Sequence, residues 1–102
     1  MQKLKWNIGQ LIRHRLFNYR GVVYDVDPVF MLSDEWYEQV AKSCPPRDEP
    51  WYRVLVDGSD QETYVAQRNL AADDDLSSIS HPLIGQIFSG FKDGRYTINK
   101  PN

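Results

Sequence analysis

NYRGVVYDVDPVF, residues 18–30, decides the fold because it holds the clearest strand pattern in the chain. Within GVVYDVD (21–27), an apolar face alternates with a face that ends in two aspartates, the period-two pattern of a β-strand. Gly21 suits an unusual backbone conformation before the strand, and Pro28 ends it because proline lacks a ladder donor. The stretch starts with Arg20 and ends with aspartates, which raises the hypothesis that the charge change marks a binding edge.

The preceding stretch, IGQLIRHRLF (8–17), also alternates and predicts the partner strand of a hairpin. Matching the two apolar faces sets Leu16 opposite Val22. The same register predicts a cross-strand ion pair between Arg13 and Asp25.

Further elements follow along the chain. SDEWYEQVAKSC (33–44) predicts a short helix with Ser33 as its N-cap. WYRVLVD (51–57) and ETYVA (62–66) predict a second hairpin, and a fifth strand is expected at Gln67–Leu70. These elements predict a mainly β fold, a small antiparallel, SH3-like β-barrel with one short inserted helix.

The tail after residue 70 differs in character from the rest of the chain. AADDDLSSIS (71–80) predicts an exposed acidic loop, and HPLIGQIFSGF (81–91) predicts a short C-terminal helix. An isolated helix this short is marginal, so we expect it to dock on the barrel or on a partner protein. The partner-binding candidates are its apolar stripe, Leu83, Ile84, Ile87, Phe88 and Phe91.

The length of 102 residues predicts one domain over 1–102, with the barrel at about 8–70 and the helical tail at about 71–102. The last residues, NKPN (99–102), are expected to fray. No apolar run reaches the ~20 residues of a membrane span. The start of the chain has no apolar signal segment, which predicts a cytoplasmic protein. The exposed strand edges of such a barrel leave self-association into a homo-oligomer open.

The sequence contains no pattern that predicts an enzyme, a metal site or a cofactor. Neither a glycine-rich phosphate loop nor a GxSxG motif occurs. The single Cys44 and two distant histidines cannot form a zinc cluster. His14 is interpreted as a packed or rim residue rather than a base, and His81 as a local capping or packing residue.

Charge is unevenly distributed along the chain, whose net charge is −2. Residues 1–20 carry five basic residues and no acid, whereas residues 21–102 carry a net −7. The basic segment either faces phosphate or pairs with the acidic remainder inside the fold, and the sequence leaves both open. The hairpin register leaves two of the arginines without a partner. The DNA-binding candidates are Lys3, Lys5, Arg15, Tyr19 and Arg20.

Several stretches together resemble one known family. They are IGQLIRHRLFNYRGVVYDVDPVF (8–30), DEWY (34–37), PWYRVLV (50–56), TYVAQRNL (63–70) and HPLIGQIF…DGRY (81–96). The chain is similar to the heat-shock protein HspQ family, also called the YccV-like or hemimethylated-DNA-binding family.

The resemblance implies a non-enzymatic binding module in a bacterial cytoplasm, built as a small β-barrel with flanking helical pieces. It implies two roles. One is binding of hemimethylated DNA, linked to control of replication-initiation genes. The alternative is a stress-linked adaptor that binds a Lon-type ATP-dependent protease and alters substrate degradation.

Overall fold

A computed structural model describes residues 3–98, so the NKPN segment expected to fray lies outside the described residues. The described elements are β1 Leu11–His14, β2 Arg20–Asp27, α1 Asp34–Val40, β3 Trp51–Val56, β4 Glu62–Ala66, a 3₁₀ turn at Gln67–Asn69, β5 Leu70–Ala72, α2 Ile84–Ile87, β6 Phe88–Lys92 and β7 Arg95–Ile98. Within residues 3–98, neither helix has the length and apolar character needed to cross a membrane.

The strands form a five-stranded antiparallel sheet in the order β4-β3-β2-β1-β5 and a separate hairpin, β6-β7. The two edge strands of the larger sheet, β4 and β5, are consecutive in the chain and joined by the 3₁₀ turn. This architecture confirms the predicted mainly β fold.

The hairpin β1-β2 is confirmed, but its predicted register is wrong. Leu11 lies opposite Val22 and Arg13 lies opposite Arg20, so the turn starts earlier than expected. The turn is closed by hydrogen bonds from the His14 N–H to the Tyr19 carbonyl and from the Asn18 N–H to the His14 carbonyl, both 2.8 Å.

The reason for the wrong register is that both faces of this sheet are buried. The chain neighbours Leu11 and Ile12 point to opposite faces, and each lies in a different hydrophobic cluster. An alternating pattern fixes register only where one face is exposed, because only then does a slip move apolar side chains into water.

Three clusters of buried side chains stabilise the fold. One face of the sheet supplies Ile12, Val23, Tyr52, Val54, Val65 and Leu70. On the opposite face, Leu11, Val22 and Leu55 pack under Phe88 and Tyr96 of the β6-β7 hairpin. Farther along that face, Trp51, Tyr64 and Ala66 pack with Phe30 against Trp36 and Tyr37 of α1.

Helix α1 begins as predicted and ends early. The Ser33 hydroxyl accepts the Trp36 N–H at 3.1 Å, which confirms the N-cap. The helix stops at Val40 rather than continuing to residue 44. Cys44 has a φ of +50°, a left-handed conformation that a helix cannot contain.

The tail departs most from its prediction. The C-terminal helix is present but confined to Ile84–Ile87, and the chain continues directly into β6. The turn between β6 and β7 is Asp93-Gly94, with positive φ at both residues, the geometry of a tight hairpin turn. The stretch 71–80 is not simply an exposed loop, because Asp73 and Ile79 are buried.

We predict that Gly21→Ala destabilises the protein, because β2 passes too close to β3 for a side chain. A Cβ at this position would lie 2.4 Å from the Leu55 carbonyl oxygen and 2.6 Å from Cγ1 of Val54. Overpacking of this kind costs about 1–3 kcal/mol of unfolding free energy. Urea unfolding of both proteins measures it.

The matched control is Gly85→Ala, because a Cβ there meets nothing within 4 Å. This glycine lies in α2, where alanine is favoured over glycine by about 1 kcal/mol. We expect an unchanged or higher urea midpoint for the control. Equal midpoints for Gly21→Ala and the unsubstituted protein would contradict the close packing of β2 on β3.

Candidate nucleic-acid interface

Part of the basic N-terminal segment is hydrogen-bonded to the 3₁₀ turn at Gln67–Asn69. The side chain of Gln67 is buried, and its Oε1 accepts the Lys5 N–H at 2.9 Å. Its Nε2 donates to the Lys3 carbonyl at 3.1 Å. These bonds fix the backbone of Lys3 and Lys5 against the turn while both residues remain exposed.

Arg15 joins the same turn from the β1-β2 loop. Its N–H donates to the Asn69 carbonyl at 2.8 Å, and its Nη1 donates to the Arg68 carbonyl at 3.3 Å. Arg68 itself has a side chain that is 59% exposed and lies 3.5 Å from Glu49. We call the four cations at this turn, Lys3, Lys5, Arg15 and Arg68, the basic strip.

Three of the strip's residues are among the predicted DNA-binding candidates, and Arg68 is not. The sequence places Arg68 more than fifty residues after Arg15, in the stretch assigned to a fifth strand. Its charge was visible, but its neighbourhood depends on the tertiary contact between the β1-β2 loop and the turn after β4.

Arg20 does not belong to the strip. The predicted hairpin leaves it without a partner, but acidic residues outside the hairpin pair with it. Its Nε lies 2.6 Å from Asp73, and its Nη1 lies 3.5 Å from Asp57 and 3.6 Å from Asp75. It also donates to the carbonyls of Asp75 and Ser77. With its side chain only 15% exposed, Arg20 ties β2 to the segment after β5.

The predicted ion pair between Arg13 and Asp25 is wrong, because the observed β1-β2 register sets Arg13 opposite Arg20. Arg13 lies 3.5 Å from Asp73 and donates to the Asn18 side chain at 3.1 Å. The Asp25 carboxylate instead accepts the N–H of Val26 at 2.9 Å. Arg13 is therefore neutralised, as expected, but by another acid.

Asp75 completes the acidic surroundings of Arg20. A hydrogen bond from Ser77 lowers the pKa of the Asp75 carboxyl, with a smaller contribution from Arg20. The Asp75 carboxylate therefore remains ionised beside Arg20, and the positive charge of Arg20 is used inside the fold.

Tyr19, the remaining DNA-binding candidate, packs against the edge strand β4. Its hydroxyl hydrogen-bonds the Thr63 hydroxyl at 2.7 Å, and burial raises its pKa. This contact closes the β1-β2 loop over one side of β4, so Tyr19 positions the loop that carries Arg15.

A groove with a volume of about 820 Å³ follows β4, and we call it the β4 groove. One wall is the β1-β2 loop with Leu16 and Phe17, and the other is α1 with Trp36 and Val40. Phe17 is 70% exposed. Its ring stacks on His14 with centroids 4.7 Å apart, so one aromatic face remains available.

Polar side chains lie at the start of β4. The Tyr24 hydroxyl donates to Glu62 at 2.6 Å. Burial and this hydrogen bond raise the pKa of Tyr24 to about 12, so the phenol is neutral at physiological pH. Arg53 lies over the Tyr64 ring, 4.8 Å from its centroid, and 3.7 Å from Asp27.

Both histidines act as predicted, as packing residues. His14 is buried, burial lowers its pKa, and its Nδ1 accepts the N–H groups of Leu16 and Phe17 at 3.1 Å. His81 is buried and its Nδ1 accepts the Leu83 N–H at 3.1 Å. Within residues 3–98, no group of three or more His, Cys, Asp or Glu side chains is placed to hold a metal.

The predicted partner-binding stripe does not form a helix face. Phe88 is buried in the cluster with Tyr96, and Leu83, Ile84 and Ile87 pack half-buried against the same cluster. Phe91, which is 37% exposed, lies in β6. Four of the five side chains therefore cover the sheet.

Comparison with known proteins identifies the class of this domain. Residues 4–95 match the model of the family described as hemimethylated DNA-binding protein YccV-like, a range that includes the groove, the β6 strand and every residue of the strip except Lys3. The chain belongs to this YccV-like family, which confirms the resemblance seen in the sequence.

Two curated relatives are known by name as F-box only protein 21, from Homo sapiens and from Pongo abelii. Each is 36% identical over 97 residues, which covers 92% of this chain. The chain spans about 15% of the length of these relatives, so the similarity concerns one part of a larger protein.

We predict that Asp73→Asn destabilises the fold, because it removes the charge facing Arg20 and Arg13. The Asp73 side chain is only 2% exposed. Removing one partner of a buried ion pair costs about 3–5 kcal/mol, and the partial exposure of both arginines places the expected loss at or below the lower end. Urea unfolding measures this loss.

The matched control is Asp74→Asn, the same change at the neighbouring exposed position, which makes no ion pair among residues 3–98. We expect a change within about 0.5 kcal/mol for the control. A loss of similar size for both variants would mean that Arg20 does not depend on Asp73.

Proposed function

We propose that this chain is a DNA-binding domain whose basic strip contacts the phosphate backbone. The observation that carries the proposal is that the backbone of Lys3 and Lys5 and the side chain of Arg15 are hydrogen-bonded to the one turn that also contains Arg68. Membership of the YccV-like family supports the same function. Phosphate contacts by lysine and arginine supply most of the affinity in such complexes.

The net charge of −2 does not oppose this function, because some of the acidic side chains already pair with arginines inside the fold. Asp73 faces Arg20 and Arg13, and Asp27 faces Arg53. At physiological ionic strength, charges farther apart than about 8 Å are largely screened. The field that a duplex meets is therefore set by the side chains close to the strip.

Recognition of hemimethylated sites is the finer part of the proposal. A hemimethylated site differs from an unmethylated one by a methyl group in the major groove. Burial of one methyl contributes about 0.8 kcal/mol, roughly a fourfold difference in affinity. A larger preference requires an additional contribution from DNA shape.

The test is the salt dependence of binding to a labelled duplex, measured by fluorescence anisotropy. Four phosphate contacts predict that log affinity falls with log salt at a slope of about −3.6, and a slope of about −2.7 is expected where Arg68 stays paired with Glu49. The double variant Lys5→Gln/Arg15→Gln is expected to reduce the slope by about two and to weaken binding at low salt.

The control is Lys92→Gln/Arg95→Gln, which removes the same charge from exposed positions of the β6-β7 hairpin. We expect this control to keep the slope of the unsubstituted chain. Equal loss in both variants would assign binding to overall charge, and absence of binding at low salt would refute the proposal. The same assay with hemimethylated and unmethylated duplexes measures the methyl preference.

Control of replication-initiation genes, the Lon-type adaptor role, a homo-oligomer and a cytoplasmic location stay predictions from the sequence and its family. For the adaptor role, the measurement is turnover of a protease substrate with and without this chain. An unchanged rate for every substrate tested would count against it.

A further inference from the structure

The β4 groove exposes aromatic ring faces that the stacked bases of a DNA duplex cannot contact. Phe17 stacks on His14 by one face and is 70% exposed. Across the groove, Trp36 is half-buried. Flat apolar faces of this kind bind other flat rings by stacking, and the bases of a duplex already stack on each other.

The groove is continuous with the basic strip. Asn69 lines the groove, and its carbonyl accepts the N–H of Arg15. Its side-chain amide donates to the Ser43 hydroxyl at 3.2 Å, which brings the chain after α1 to the same end. Lys42 also lines this end, is exposed and makes no ion pair among residues 3–98.

The dimensions of the groove suit a base with part of its backbone. Its volume of about 820 Å³ lies within the range of ligand sites, roughly 300–1,000 Å³. The five residues of β4 along its floor extend about 16 Å. Exposed polar side chains of Gln61 and Glu62 at the far end offer groups for the edge of a base.

We propose that the β4 groove binds unpaired nucleobases of DNA whose phosphates lie on the basic strip. Phe17 supplies the stacking face, and the cations at the Asn69 end match the charge of the adjoining backbone. This inference rests on the proposed DNA binding and adds that the domain prefers DNA with an unpaired base over fully paired DNA. Charge favours this occupant over an apolar peptide or a second copy, because Lys42 lines one end of the groove and Arg15 is hydrogen-bonded to Asn69 at the same end.

The experiment uses two labelled duplexes of the same sequence, one fully paired and one with a single bulged 2-aminopurine. Anisotropy gives both affinities, and 2-aminopurine emission reports stacking on the protein. We expect the bulged duplex to bind at least about fivefold more tightly, with altered emission on binding. Phe17→Ala is expected to remove that preference and leave the affinity for the paired duplex unchanged.

The matched control is Phe91→Ala, an equal truncation of an exposed aromatic residue on the β6-β7 hairpin. This control is expected to keep the preference. If Phe17→Ala fails to fold, as judged by circular dichroism, Lys42→Gln serves instead and is expected to weaken the bulged duplex selectively.

The outcomes separate the two proposals. Equal affinity for both duplexes overturns the base site and leaves phosphate binding by the strip intact, whereas failure of both duplexes to bind at low salt refutes both. A preference that survives Phe17→Ala or Lys42→Gln places the base elsewhere and overturns the assignment. If light scattering shows that the protein forms a dimer and the preference is lost on dimerisation, a second copy occupies the groove. That result also overturns the assignment.

Discussion

The buried ion pair between Arg20 and Asp73 is the constraint on which much of this fold depends. It joins the first residue of β2 to the first residue after β5, which is buried with only 2% of its side chain exposed. The Nη2 of Arg20 donates to the carbonyls of Asp75 and Ser77. A stretch of acidic and serine residues that would otherwise be solvated is thereby fixed on the sheet, and the chain is led toward α2 and the β6-β7 hairpin.

A second buried polar group, the side chain of Gln67, fixes the N-terminal segment on the fold, as Arg20 fixes the segment after β5. It accepts hydrogen bonds from the Tyr52 hydroxyl and the Lys5 N–H, and donates to the Lys3 carbonyl. Burial of this amide costs little folding free energy, because its hydrogen bonds are made inside the protein. Replacement of Gln67 would leave several polar groups without hydrogen-bond partners. The position of the basic strip thus depends on a neutral, buried residue of the 3₁₀ turn.

Much of the fold follows from the sequence where one local signal dominates. The Ser33 cap, strand β2 and the hairpin β3-β4 follow from capping and alternation. The tail does not, because Leu83, Ile84, Ile87 and Phe88 match a helical stripe and also fit a short helix followed by a strand. The dipeptide Asp93-Gly94 is typical of a tight hairpin turn, so it was the local signal for the β6-β7 hairpin. For the candidate site, the charges of Lys3, Lys5 and Arg15 could be found by counting along the sequence. The placing of Arg68 beside Arg15, and of Asp73 beside Arg20, depends on contacts more than fifty residues apart.

The basic N-terminal fifth of the chain is therefore used in two different ways. Arg13 and Arg20 neutralise Asp73 inside the fold, while Lys3, Lys5 and Arg15 remain exposed around the 3₁₀ turn. Pairing inside the fold is therefore correct for Arg13 and Arg20, whereas contact with phosphate stays a prediction for Lys3, Lys5 and Arg15. Arg13 and Arg15 are separated by His14, whose ring organises the loop between them. The turn after His14 carries Arg15 toward Asn69 and sets Phe17 at the wall of the β4 groove, so one loop carries both the proposed phosphate contact and the proposed stacking surface.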